Sequence, residues 1–188
     1  PHENWLPSTT RISFGSTNKD AEISLYDLLK NAMRQRPDYI IVGEVRGAEA
    51  YTLAQAIATG HGGMATIHGD SMEAAIRRLE NDPMNVPRPL ITTLDILVIQ
   101  GKVNVSNKIT RRTLSVHEIV GLDRSTKDLL TNDVFRRDPK SDSFIKSEKS
   151  YLVERMRKKL AINSDDIREE LTNRCTVLEW LTKQKIPT

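Results

Sequence analysis

Two polar residues stand at the ends of short apolar runs, and together they could act on a phosphate ester. Tyr39-Ile40-Ile41-Val42 runs into Gly43-Glu44, and Met64-Ala65-Thr66-Ile67 runs into His68. A carboxylate at a strand tip can orient or deprotonate a water without burying its charge fully. Nucleotide hydrolases place the water that attacks a γ-phosphate in this way. His68 can donate a hydrogen bond to a phosphate oxygen, with Thr66 and His61 near it in sequence. Arg34, Arg36 and Arg46 surround the first run, and a guanidinium suits phosphate because it binds two oxygens at once. Each residue also has a plainer reading. Glu44 can be a strand-end glutamate paired with Arg46, the arginines can be solvated or salt-bridged surface, and a lone histidine is more often structural. His61 and His68 have no third ligand close by, which disfavours metal binding.

The elements that must position these groups follow from periodicity. An apolar run bounded by turn signals reads as a strand, and a helical stretch between two such runs reads as a βαβ unit. Working groups in open α/β sheets lie just past the carboxyl ends of the strands, where Glu44 and His68 would stand. The first strand is expected over 39–43, buried on both faces, and the second over 64–68. A helix over 47–59 carries Ala50, Leu53, Ala54 and Ile57 on its apolar face and stops at Gly60. Before the unit, Ser24 with Asp27 predicts a helix start with Leu25, Leu28, Leu29, Ala32 and Met33 on one face, ended by Pro37. Arg11–Phe14 is a candidate short strand, and 15–22 a polar loop. After the unit, Asp70 with Glu73 predicts another helix start, with Met72, Ala75, Ile76 and Leu79 as its face and Arg77 and Arg78 off it.

Residues 81–89 hold three prolines and read as a connector. Strands are expected over 94–100 and 113–120, and a hairpin from 133–137 and 143–146 around the turn-rich Asp138-Pro139-Lys140-Ser141-Asp142. From Ser150 the pattern turns helical. Leu152, Met156 and Leu160 share one face, and Ile167, Leu171, Cys175, Leu178 and Leu181 share that of a last helix capped by Ser164. Both faces are expected to pack internally. His2 and His117 belong to no constellation. Two parts are expected: an α/β part over 1–122, and a β-hairpin with a helical tail over 123–188.

Composition narrows the classes. With 188 residues, 38% apolar and 28% charged, the chain reads as an ordinary globular protein. No apolar run nears the roughly 18 residues of a membrane span, and no signal peptide is visible, so a cytoplasmic location is expected. The single Cys175 leaves no internal disulfide and no multi-cysteine zinc site. A net charge of +3 does not imply nucleic acid. Aromatic residues are only 5%, without the basic interleaving that stacks bases.

Taken together, RPDYIIVGEVRG followed by ATGHGGMATIH resembles the Walker B segment and His box of the secretion-superfamily ATPases. These drive type II and type IV secretion, type IV pili and the archaellum. The opening PHENWLPSTTR and the run PMNVPRPL most resemble the archaeal branch. The resemblance implies a RecA-like P-loop NTPase core, a homo-hexameric ring, ATP with Mg²⁺ between subunits, and a polytopic membrane platform protein as partner at the inner face of the cell membrane. It makes Glu44 the catalytic glutamate and His68 a catalytic His-box residue. Gly43 stands where other nucleotide hydrolases carry a magnesium-binding aspartate, so the metal would be held through nucleotide and water. Arg34, Arg46, His61 and Thr66 fall on the nucleotide-binding positions.

Two departures matter. No G-x-x-x-x-G-K-[ST] loop, whose amides and lysine grip the β- and γ-phosphates, occurs in the 188 residues. The chain also begins at Pro1, so it is expected to be the C-terminal half of an ATPase core, inactive alone. The four-cysteine module of some bacterial relatives is missing, which favours the archaeal branch. An alternative of another class is a non-catalytic assembly module whose tail docks the platform protein.

Overall fold

The computed structural model describes residues 3–11 and 22–186, so His2 and most of the expected strand 11–14 and loop 15–22 lie outside the described residues. Arg11 bridges Ile23 in antiparallel fashion. The mixed α/β class expected from the sequence is the one observed. Helix α1, Leu25–Arg34, opens on the expected capping box: Ser24 Oγ accepts from Asp27 N at 3.2 Å, and Ser24 N donates to the Asp27 carboxylate at 3.2 Å. Two otherwise orphaned amides are thereby satisfied.

Strand β1, Tyr39–Val42, helix α2, Glu49–Ala58, and strand β2, Gly62–Ala65, form the expected βαβ unit, with the strands parallel and in register from Tyr39↔Gly62 to Val42↔Ala65. Helix α2 buries Ala50, Thr52, Leu53, Ala54 and Ala56 against Ile40, Val42 and Leu29. Small residues let the helix lie close, and β2 answers with glycine. A Cβ at Gly63 would come within 2.5 Å of Ile57 Cγ1, and one at Gly62 within 2.5 Å of Tyr39 Cδ1.

Three expectations are corrected here. Strand β2 spans 62–65, not 64–68, because the two glycines belong to the strand and not to a turn; His68 therefore lies three residues beyond it. Strand β1 is buried on one face only, with Tyr39 66% and Ile41 54% exposed, since its sheet has two strands and one covering layer. Helix α3, Met72–Glu80, is capped by Ser71, whose Oγ accepts from Ala74 N at 3.1 Å; Asp70 sits one residue too early. The predicted face holds, with Ala75, Ile76 and Leu79 buried.

The proline-rich connector contributes Met84 and Val86 to the core and leads into the short helix α4, Arg88–Ile91, whose Ile91 is fully buried. A four-stranded antiparallel sheet follows, in the order β3 (Ile96–Val105), β4 (Lys108–Leu122), β5 (Leu129–Asp138), β6 (Ser143–Lys146). The β3–β4 strands are longer than expected because Ser106 and Asn107, at φ 50° and 60°, close them in a two-residue turn. The boundary expected at residue 122 falls at the turn between β4 and β5 of this one sheet.

Helix α5, Tyr151–Leu160, is capped by Ser150, and α6, Ser164–Lys183, by Asn163, whose side chain accepts from the amides of Asp165 and Asp166. Ser164 is thus the first helical residue, not the cap. Neither helix has a buried residue, so the tail's apolar faces do not pack into this chain's core as expected; Leu171, Leu178 and Trp180 are exposed.

Candidate hydrolytic site

Past the end of the β1–β2 ladder the two chains stay stitched together. Val45 is buried and its amide donates to Thr66 O at 2.9 Å, while Thr66 Oγ1 donates to Gly43 O. Glu44 is held between these contacts, facing the loop that carries His68. The turn behind it is shaped by Glu49, whose Oε1 accepts from Arg46 N at 2.6 Å and Gly47 N at 2.8 Å. Burial opposes ionisation of Glu49, but these amides outweigh it and hold its carboxyl below the usual range. Glu49 went unread in the sequence; its signal is the three-residue spacing from Arg46 at a helix start.

Glu44 is partly buried, with its side chain 25% exposed, whereas the His68 side chain is 71% exposed. Its Oε2 pairs with Arg46 Nη2. Its Oε1 lies 2.8 Å from His68 Nε2. That contact is close enough for an ion pair but is not aligned as a hydrogen bond, so Oε1 is enclosed by protein without a directed donor. The hydrogen bond from Arg46 holds the Glu44 carboxyl below its ordinary value, against partial burial; the charges of Arg46, His68 and Arg78 act in the same sense. Glu44 is therefore an anion at neutral pH, able to accept a proton. The pairing with Arg46 left open by the sequence exists, and it occupies only one of the two oxygens.

Among the expected site residues, Gly43, Glu44, Arg46, Thr66 and His68 come together. Gly43 has open space where a Cβ would stand, so no packing demand fixes it as glycine. His61 is elsewhere. It precedes β2, with Nδ1 3.1 Å from Ala56 O and 3.5 Å from Thr59 Oγ1, and ties down the end of α2. A four-residue strand separates it from Thr66, roughly 13 Å of rise. Arg34 ends α1, on the side from which the chain enters β1. Among the described residues no three His, Cys, Asp or Glu side chains converge as metal ligands. His117, unlike its sequence reading, has a constellation: Nδ1 lies 2.5 Å from Asp133 Oδ1 and Nε2 2.7 Å from Ser115 Oγ. All three lie on the paired strands β4 and β5, where His117 faces Asp133 in register, so the set clamps one strand to the next.

A parallel βαβ unit with an ionised carboxylate just past its strand exit defines an α/β protein. Residues 5–169 match the family described as Type II/IV secretion system protein, and the chain belongs to that family. An uncharacterized protein of Methanocaldococcus jannaschii is 46% identical over 184 residues, which cover 98% of this chain and 67% of that protein. The probable conjugal transfer protein TrbB of Sinorhizobium fredii is 54% identical over 59 residues, 31% of this chain and 18% of TrbB. Among solved structures, the VirB11 ATPase of the Brucella suis type IV secretion system, crystallised with sulphate, aligns with a TM-score of 0.43 and 27% identity, over 50% of this chain and 31% of VirB11. The chain thus spans only part of each of these relatives.

Proposed function

We propose that this chain is the water-activating half of a RecA-like ATPase motor of the secretion family, acting as a homo-hexamer in an archaeal pilus, archaellum or secretion machine. The observation that carries the reading is Glu44 Oε1: an enclosed anionic oxygen with no aligned donor, at the exit of a parallel strand. An idle buried acceptor costs about 1–3 kcal/mol, and a water hydrogen-bonded there removes that cost. The residues fit ATP as substrate. Glu44 takes a proton from the attacking water, whose oxygen bonds to the γ-phosphorus as the bond from that phosphorus to the β–γ bridging oxygen breaks, releasing ADP and phosphate. Arg46 keeps the carboxylate ionised, and exposed His68 is free to turn its imidazole to a phosphate oxygen. Mg²⁺, arriving with the nucleotide and held through phosphate and water, would supply charge neutralisation. Gly43 and Thr66 hold the strand exits in register.

The phosphate-gripping loop has to come from outside these 188 residues, and the isolated chain is expected to show no turnover. The ring would sit at the cytoplasmic face of the membrane, against a polytopic platform protein. In the full-length polypeptide, Glu44→Gln is expected to lower turnover by about 10²–10⁴-fold, with nucleotide affinity retained. Equal turnover in wild type and variant would reject the role.

A second reading, an assembly module for the platform protein, draws on the exposed apolar residues of α6. Deleting residues 163–188 separates the two: ATPase activity retained while assembly or export is lost would assign the tail to docking.

A further inference from the structure

His68 lines an open cavity of about 520 Å³ between the loop after β2, helix α3 and the β3–β4 strands. Its sheet wall is shaped by a defect in the ladder. The register passes from Ile99↔Ser115 to Gln100↔Thr113, which leaves Leu114 as an extra residue on β4. Bulges of this kind re-aim side chains and recur beside active sites. Leu114 lines the cavity and lies over Gly101, where a Cβ would come within 2.7 Å of Leu114 Cδ1. Gln100, also in the wall, is pinned by a 3.0 Å hydrogen bond from its Nε2 to Thr113 Oγ1, leaving its amide oxygen uncommitted.

Facing this wall from α3 is Arg78. Two other arginines of this region are engaged, Arg46 with Glu44 and Arg88 with Glu80 and Asp128, whereas Arg77, also on α3, does not line the cavity. The Arg78 side chain makes no hydrogen bond or ion pair among the described residues, yet its charge reaches Glu44. An unpaired guanidinium and the exposed His68 imidazole therefore line one cavity, and His68 Nε2 lies 2.8 Å from the enclosed carboxylate oxygen of Glu44. Asp70 lines it too, the one acidic residue among the described lining residues.

We infer that Arg78 is a phosphate-binding residue of the hydrolytic site, holding the transferred phosphate group from the cavity side while Glu44 holds the water. This rests on the ATPase reading above and adds to it a residue from α3. A planar guanidinium with no other partner can meet two phosphate oxygens at once. The leaving phosphate would exit through the cavity, between α3 and the sheet.

The test uses the full-length polypeptide with ATP and, separately, with inorganic phosphate as inhibitor. Arg78→Ala is expected to lower kcat about tenfold or more, with a smaller change in KM, to weaken inhibition by inorganic phosphate, and to leave the thermal midpoint in place. Arg78→Lys keeps the charge without the fork and is expected to recover part of both. Asp70→Asn removes the opposing charge and is expected to strengthen phosphate inhibition. The kcat arm reads nucleotide-borne phosphate and the inhibition arm free phosphate; loss in either supports the assignment. Wild-type kcat and wild-type inhibition in Arg78→Ala overturn it, and so does a lowered thermal midpoint with phosphate inhibition unchanged. If wild type has no turnover, or Glu44→Gln matches it, the underlying ATPase reading is what fails.

Discussion

Glu44 and Glu118 are both carboxylates shielded at the side of a sheet, and the molecule treats them in opposite ways. Glu118, on β4 and only 4% exposed, has every oxygen in use. It accepts from Asn132 Nδ2 at 3.0 Å, Tyr151 N at 2.8 Å and Leu152 N at 3.3 Å, and also from Ser150 Oγ. It thereby fastens the first turn of α5 to the sheet, meeting amides that a helix start leaves without partners. Burial works against its ionisation, but Ser150, Asn132 and the two amides outweigh it and hold the carboxyl low. Glu44 has one oxygen paired and one idle. The two histidines repeat the contrast: His117 is buried with both nitrogens engaged, and His68 is exposed with a single contact. A titratable group with all its capacity spent locally holds the fold. One with capacity left over near an unpaired guanidinium is available to a ligand.

That contrast breaks if a substitution in the satisfied set changes chemistry, or one in the unsatisfied set changes stability. The largest stability effect is expected at Glu118→Ala, which strands two amides, an Asn132 amide and the Ser150 hydroxyl. A loss of about 2–3 kcal/mol follows, read as a lower denaturant midpoint, with kcat unchanged wherever the variant remains folded. His117→Leu keeps the bulk but frees Ser115 and leaves Asp133 to Arg136; about 1 kcal/mol is expected, again without effect on kcat. A kcat defect in either variant at full folding would merge the two regions.

Acid sharpens the same division. The carboxyls of Glu118, Asp133 and Asp123 are all depressed in the folded chain; burial opposes this at the first two but is outweighed by their hydrogen bonds, and at Asp123 the Ser125 and Thr126 contacts bring the value to about 2. Unfolded carboxyls titrate near about 4. Between the unfolded and folded values the unfolded chain binds more protons, so stability is full above the ordinary range and falls as pH drops through the folded values. The thermal midpoint should therefore decline from about pH 4 downward, with the Asp123 contribution surviving until about pH 2. Glu118→Gln, which cannot titrate, should flatten that decline. An unchanged slope would mean that Glu118 does not carry it.

The legibility of these two regions in sequence differs for a physical reason. Glu44, Arg46 and His68 stand next to the apolar runs that position them, so strand exits could be read without knowing the partners. The errors nearby arise where glycine does structural work: Gly62 and Gly63 look like a turn and form a strand, which moves His68 off the strand end and puts His61 at the far end of it. Glu118 and His117 were unreadable as anchors because their partners other than Ser115 lie on β5 and at the start of α5, 14 to 34 residues away, and no local pattern encodes those pairings. The sequence places Arg78 only off the apolar face of α3. The face was read correctly, but the cavity opposite it depends on a bulge at Leu114 that alternation alone does not reveal.

The smallest effect, and the finest test of the comparison, concerns Arg46. If Glu44 is the base, it must be ionised to work, and the acid limb of the kcat–pH profile follows its carboxyl. The Arg46 hydrogen bond is the largest influence holding that carboxyl low, ahead of the charge of His68. Arg46→Ala should move the acid limb to higher pH, toward the ordinary glutamate range, while the plateau above it changes less. His68→Ala should move the limb in the same direction but by a smaller amount, and whatever it takes from the plateau measures its separate contact with phosphate. An acid limb that stays in place in Arg46→Ala would show that a group other than Glu44 accepts the proton, and the idle oxygen at Oε1 would then need a different occupant.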